Sequence, residues 1–225
     1  MPVDKAYLGA RLVGSYDERH FGGPGGNFVL HKDLQIIREL MGAKGNIILD
    51  IPCGTGIYTA WLRQEGYPII GADASWDMLR LAKAQRGKMP WLQTDIFQLP
   101  FASGSLPGVM VIRLFQHLTS QGFSKVLEEA RRVIRPDGWV LFDTLRWSPR
   151  RTSPEAVDGM HVYSLPTCRR IIRAANLEVI SFRSAYLFSA IRYRRLPVAI
   201  LKALERVEVV LPADWKLRTF WLCGQ

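Results

Sequence analysis

The chain has 225 residues, 48% hydrophobic and 22% charged, with a formal net charge of +10. That length can bury a full core and fits one domain better than two, and no apolar run approaches the roughly 20 residues that cross a bilayer. Cys53, Cys168 and Cys223 lie far apart and form no CxxC or Cys/His cluster, so they suggest neither a zinc site nor a disulfide framework.

Reduced, mostly buried thiols and no metal are therefore expected. The start MPVDKAYLGARLVGSYDERH lacks the apolar core of a signal peptide, which makes the cytoplasm the expected compartment. The cationic excess is either a solvated face or a surface for phosphates, anionic lipid or acidic substrates.

In chain order, GGPGG at 22–26 reads as a loop leading to a helix over about 30–42. NIILDI (46–51) is a first strand, IYTAWLRQEG (57–66) a helix and PIIGAD (68–73) a second strand. WDMLRLAKAQ (76–85) is helical with Ser75 as its N-cap, and MPWLQTD (89–95) is a short third strand. PGVMVIRLF (107–115) follows as a fourth strand. QGFSKVLEEARRVI (121–134) has helical spacing and stops at Pro136-Asp137-Gly138, a turn into the fifth strand, WVLFDTL (139–145).

Beyond a polar loop (146–160), LPTCRRIIRAAN (165–176) is a helix, LEVISFRSA (177–185) a sixth strand and KLRTFWLCG (216–224) a seventh. Between them YRRLPVAILKALERVEVVLP (193–212) is an amphipathic helix interrupted near Pro197. The alternation over 30–145 is that of βαβ units and a parallel sheet.

ILDIPCGTG (48–56) puts an acid at a strand end and then a glycine turn at the start of a helix, where backbone can approach a ligand closely. A P-loop needs a lysine that does not follow Gly56. A dinucleotide turn needs a third glycine where Thr59 stands, and Asp50 would repel its pyrophosphate. A ligand with an ammonium and a sulfonium but no phosphate reverses that sign. Asp73, 17 residues past Gly56, suits a ribose, and Asp95 in QTDIF suits an adenine edge, so acids end three successive strands.

The chain resembles the class I S-adenosylmethionine-dependent methyltransferases in LDIPCGTG, GADAS, TDIFQLPF, VIRLFQHL and RRVIRPDGWVLF, over about residues 30–145. It looks most like the small-molecule members that include quinone-biosynthesis C-methyltransferases. The family commonly has a glycine where this chain has Pro52.

The resemblance implies a Rossmann-like three-layer α/β sandwich whose seven-stranded, mostly parallel sheet has an antiparallel last strand. It implies S-adenosylmethionine as donor and S-adenosylhomocysteine as product, with no metal. Residues 1–42 would be lid and cap helices, 43–145 the cofactor half and 146–225 the substrate side of a single domain. The cofactor residues implied are Asp50, Pro52, Cys53, Gly54, Thr55, Gly56, Asp73, Ala74, Met78, Asp95, Ile96, Phe97, Arg113 and Leu114. Cys53 is read as packing.

His117, just past strand four, is the candidate base, against a loop-ordering role. Tyr16, His20 and Phe21 belong to the lid, with GGPGG as its hinge. Asp143, Trp147, His161 and Tyr163 are candidates for the acceptor side, with a turn cap the favoured reading of Asp143. The acceptor expected is a small molecule or a membrane-held lipid, since arginines interleave with apolar residues over 188–207 as in an interfacial helix; a core-facing helix is the rival reading. An RNA acceptor and a donor-binding scaffold without transfer are the alternatives; no RNA-binding motif or N-P-P-[YF] tetrapeptide supports RNA. Oligomeric state is left open.

Overall fold

A computed structural model describes residues 16–146 and 160–225, with backbone alone at Tyr16, Arg19, His20, Ala190 and Ile191. In chain order the elements are α1 (Tyr16–Phe21), α2 (Gly23–Met41), β1 (Ile48–Asp50), α3 (Ile57–Gln64), β2 (Ile69–Asp73), α4 (Trp76–Arg86), β3 (Trp91–Gln93) and β4 (Leu106–Val111). A 3-10 turn (Phe115–His117) then leads to α5 (Ser120–Val133), β5 (Ile134–Leu145), α6 (Leu165–Ala174), β6 (Glu178–Ala185), α7 (Ala190–Arg195), α8 (Val198–Val210) and β7 (Arg218–Gly224).

The strands form one sheet in the order β3-β2-β1-β4-β5-β7-β6. β7 runs antiparallel to both of its neighbours, β5 and β6, and all other pairings are parallel. This is the α/β, Rossmann-like sheet expected from the sequence, with the antiparallel strand inserted between the fifth and sixth. The order reverses at β1, which pairs β2 on one side and β4 on the other, so the ligand crevice of such a sheet opens above the carboxyl ends of these strands.

Strand alternation divides the core in two. Val109, Val111, Val140 and Phe142 face a cluster with Phe123, Val126 and Leu127 of α5 and Ile172 of α6. Met110, Leu141 and Phe220 face the other way, onto Leu34 and Ile37 of α2, Leu62 of α3 and Leu201 of α8.

Two boundaries differ from the sequence reading. The GGPGG segment is not a hinge loop: Gly22 caps α2, Pro24 lies in its first turn, and the helix is continuous from Gly23. Proline at that place loses no bond, because the first helical N–H groups have no partner in the helix. Gly25 and Gly26 are there for close approach, since a Cβ would stand 2.4 Å from the Tyr193 carbonyl oxygen at Gly25 and 2.4 Å from the Phe21 carbonyl carbon at Gly26. The second difference is in β5, which starts at Ile134 rather than after the glycine. Pairing jumps from Leu106↔Ile134 to Gly108↔Trp139, so Arg135–Gly138 bulges out of a continuing strand. The interruption expected near Pro197 is found between α7 and α8.

α2 is fastened to the sheet's carboxyl edge by a buried charge cluster. Asp33 accepts from Tyr58 Oη and Tyr186 Oη, each at 2.7 Å, and from Arg218 Nη1 at 2.9 Å. Arg218 Nε also donates to Asp143, whose other oxygen accepts the Arg113 N–H at 2.6 Å. The Arg113 guanidinium lies 3.8 Å from Asp33. Two aspartates face two arginines, so the charges cancel. Burial opposes the charge on Arg218, but Asp143 and Asp33 hold its pKa well above the ordinary arginine value. Removing one member leaves a buried charge without its partner. Asp33→Ala is therefore expected to lower unfolding free energy by about 3–5 kcal/mol in urea titration; a loss no larger than that of an exposed substitution would contradict this account.

Candidate functional site

Three acids stand where β1, β2 and β3 end. Asp50 closes β1 and is 1% exposed, with the Thr59 hydroxyl of α3 donating to it. Desolvation, together with the nearby Asp73, raises its pKa to about 7 although the Thr59 bond works against this. No ion pair among the described residues involves Asp50, so it is a buried acid with only a hydroxyl for company.

Asp73 closes β2. Its Oδ2 accepts the Gly54 N–H and its Oδ1 the Ser75 N–H, both at 2.8 Å. Burial raises its pKa against the pull of these backbone bonds. The carboxylate thus fixes the glycine turn from the neighbouring strand. Asp95, two residues past β3, is exposed and accepts the Phe97 N–H at 3.0 Å.

Between the first two acids runs the turn Ile51–Gly56, with a cis Ile51–Pro52 bond. Gly54 and Gly56 have φ of +55° and +71°, in the region where a side chain is strained. A Cβ added at Gly54 would meet nothing within 4 Å, which leaves the backbone open to a ligand there. At Gly56 the same atom would strike the Trp91 ring at 2.4 Å, so the other wall of the turn is closed. The Cys53 thiol is buried, and burial with the two neighbouring acids pushes its pKa far up, consistent with packing.

Other expected donor-side residues surround this turn. Met78 and Ile96 are buried, Phe97 is half-buried and Ala74 exposed; Pro52 is half-buried and Thr55 buried. Ser75 caps α4 as expected, accepting the Met78 N–H at 3.3 Å. Asp17 of α1 was missed. It accepts from the Thr55 hydroxyl and from Arg86 Nη2, tying the first helix to the glycine turn. No sequence signal marks it, because Asp17 is 38 positions from Thr55.

On the other side, Leu114 is buried and Arg113 has φ of +63°, rare for a non-glycine residue. Its guanidinium lies 4.5 Å from the Phe21 ring, so this residue of α1 reaches the end of β4. His117 is half-buried in the 3-10 turn, its N–H donating to the Leu114 carbonyl at 2.8 Å and its Nε2 lying 3.1 Å from Gln116 Nε2. The His161 N–H donates to the Gln116 carbonyl at 2.7 Å.

Two acceptor-side expectations are corrected. Tyr163 is 5% exposed, its ring packs 5.2 Å from Phe123, and its hydroxyl donates to the Leu118 carbonyl, with burial pushing its pKa up to about 12. Asp143 is 1% exposed with both oxygens engaged by Arg113 and Arg218, so it builds the wall and does not face an acceptor. Trp147 and the side chains of Tyr16 and His20 lie outside the described residues.

Residues 49–142 match the model of a methyltransferase domain family. Malonyl-[acyl-carrier protein] O-methyltransferase of Erwinia pyrifoliae is 37% identical over 101 residues, covering 44% of this chain and 37% of that protein. Demethylmenaquinone methyltransferase of Beutenbergia cavernae is 31% identical over 135 residues, covering 57% of this chain and 53% of that protein. The chain thus spans less than two thirds of the length of these relatives. Among solved structures, Haemonchus contortus phosphoethanolamine N-methyltransferase 2 in complex with S-adenosyl-L-methionine shares the fold with a TM-score of 0.69 at 19% identity, over 99% of this chain and 59% of that one. Residues 49–142 thus match a methyltransferase domain family, and the described residues share the fold of a solved methyltransferase.

Proposed function

We propose that the chain transfers a methyl group from S-adenosylmethionine to a small-molecule or lipid-like acceptor by in-line displacement. The observation that carries this reading is the pair of buried acids, Asp50 and Asp73, flanking an open Gly54 backbone. A desolvated carboxylate with only a hydroxyl partner favours a cation, and a diphosphate would be repelled. Asp50 would take the donor's ammonium, directly or through water. Each Asp73 oxygen spends one acceptor site on a backbone N–H and keeps another for a ribose hydroxyl. Asp95 and Ile96 would meet the adenine.

When bound, S-adenosylmethionine supplies an electrophilic methyl whose thioether leaves neutral. The chain therefore needs no general acid, and its contribution is alignment and exclusion of water. Phe21 and the Arg113 backbone would close the floor and lid on the acceptor side, and His117 would take a proton where the acceptor must lose one. The relatives named above for malonyl-[acyl-carrier protein] and demethylmenaquinone support an acceptor of small-molecule or lipid-like type.

Three measurements test this. In calorimetric titration Asp73→Ala should abolish donor binding; unchanged affinity would refute the ribose assignment. Because the Asp50 pKa is raised to about 7, the carboxylate is lost as pH falls through that value. Donor affinity should then be flat above pH 7 and fall about tenfold per unit well below it, as expected when only the ionised form binds. Asp50→Asn should bind weakly at every pH; a wild-type affinity independent of pH would argue against the ammonium contact. His117→Ala should slow transfer by about 10²-fold or more with normal donor affinity if it is a base. Weakened donor binding would instead assign it to ordering the loop.

A further inference from the structure

α8 presents the protein with one narrow stripe and solvent with everything else. Leu201 and Glu208 are buried and Leu204 and Glu205 half-buried, the i, i+3, i+4, i+7 spacing of a single face. Both acids of the helix turn inward to Lys32, Glu208 at 2.6 Å and Glu205 at 3.8 Å. What remains outside is apolar and cationic: Val207 is 49% exposed, Val209 80%, Val210 79% and Ile200 45%, with Lys202 and Arg206 exposed among them. The segment thus faces the core through Leu201 and Leu204 and leaves its other large apolar residues outside, whereas a surface helix of a globular domain normally turns its apolar face inward.

The cationic side continues into α7, where Arg192 and Arg195 are exposed. Among the described residues no ion pair involves Arg192, Arg195, Lys202 or Arg206. No helix among the described residues is long and apolar enough to cross a membrane. Glu205 keeps 42% of its side chain exposed beside this face, but the valines, Ile200 and the cations make up the rest, and an exposed apolar helix face with interspersed cations is the pattern that lies in an interface and not through it.

We infer that the α7–α8 face docks the protein on an anionic bilayer surface, valines and Ile200 against the acyl boundary and the four cations among the headgroups. Charge complementarity selects this occupant: the cations have no acidic partner among the described residues, and anionic headgroups supply one. The face adjoins the site. α7 packs on the start of α2 at Gly25, and Arg194 Nη2 reaches the Glu18 carbonyl of α1 at 3.5 Å, while Phe21 at the other end of α1 lies on Arg113. A docked molecule would hold its lid beside the headgroups, where an amphiphilic acceptor is retained; this last step rests on the methyl-transfer reading.

The test is flotation of the full chain with phosphatidylcholine vesicles with and without phosphatidylglycerol, at low and high salt. Two variants accompany it, Arg192→Gln/Arg195→Gln/Lys202→Gln/Arg206→Gln and Val207→Ser/Val210→Ser, all at exposed positions. Wild type should float only with the anionic vesicles. Binding should weaken roughly fivefold for each cation removed and fall with salt. The valine variant should lose what binding persists at high salt. No flotation with phosphatidylglycerol at low salt, or equal flotation of all three proteins, overturns the inference. So does a wild-type dimer that the valine variant makes monomeric without vesicle binding, which would assign the face to a second copy. Vesicle binding that the valine variant keeps in full and bulk tRNA displaces would assign the cations to nucleic acid and overturn it too. Donor titration on the same samples separates the two readings. Normal donor binding without flotation removes only the docking face, and flotation without donor binding removes only the methyl-transfer reading.

Discussion

The pairing of Asp33 with Arg218 and of Arg218 with Asp143 is the constraint on which the site's architecture rests. Asp33 comes from the first long helix, Asp143 from the fifth strand and Arg218 from the last, so one arginine joins the two ends of the chain at the sheet's carboxyl edge. Apolar contacts alone would let α2 slide over Leu62 and Phe220, because burial of such surface is non-directional. Buried hydrogen-bonded charges do not slide, since any displacement leaves one of them without a partner. The Arg113 N–H bonds to the same Asp143, so the cluster also fixes the loop after β4 in its unusual φ. A strained backbone position persists where its surroundings over-determine it, and here a carboxylate and the stacked Phe21 ring both do.

The glycine turn is held by a different device. Asp73 spends its carboxylate on two backbone N–H groups, and this shapes the glycine turn while opposing the cost of burying the acid. Asp50 has no comparable help, and its pKa is raised to about 7. Neighbouring buried acids therefore differ in setting, one accepting two backbone N–H groups of the glycine turn and its flank, the other bonded to the Thr59 hydroxyl alone.

Much of this was legible in the residues. Acids ending three apolar runs at regular spacing, with glycines after the first, are local features, and the three strands they end and the Ser75 cap follow from short-range pattern. Misread features depended on distant partners. GGPGG has loop composition, yet its glycines answer to Phe21 and Tyr193 packed against a helix. Pro136-Asp137-Gly138 has turn composition but bulges from a strand already paired at Ile134. Asp143 and Tyr163 sit beside the expected pocket, but Arg218, 75 positions from Asp143, and the Leu118 carbonyl, 45 from Tyr163, decide where they point. A side chain's residue type shows what it can bond, and only the fold shows what it does bond.

The start of α1 contrasts with the Asp33 cluster behind it in how firmly it is held. Asp17 bonds to Thr55 and Arg86 at about a quarter exposure, 23% for the acid and 25% for the arginine. Partly exposed pairs of this kind contribute roughly 0–1 kcal/mol, against about 3–5 for breaking a buried one. The Asp17 end of α1 is thus held less firmly than its Phe21 end, which is buried and packs on Tyr58 and Arg113. The weak contact sits on the glycine turn at Thr55, and the strong ones lie where Arg113 meets Asp143 and Arg218 meets Asp33.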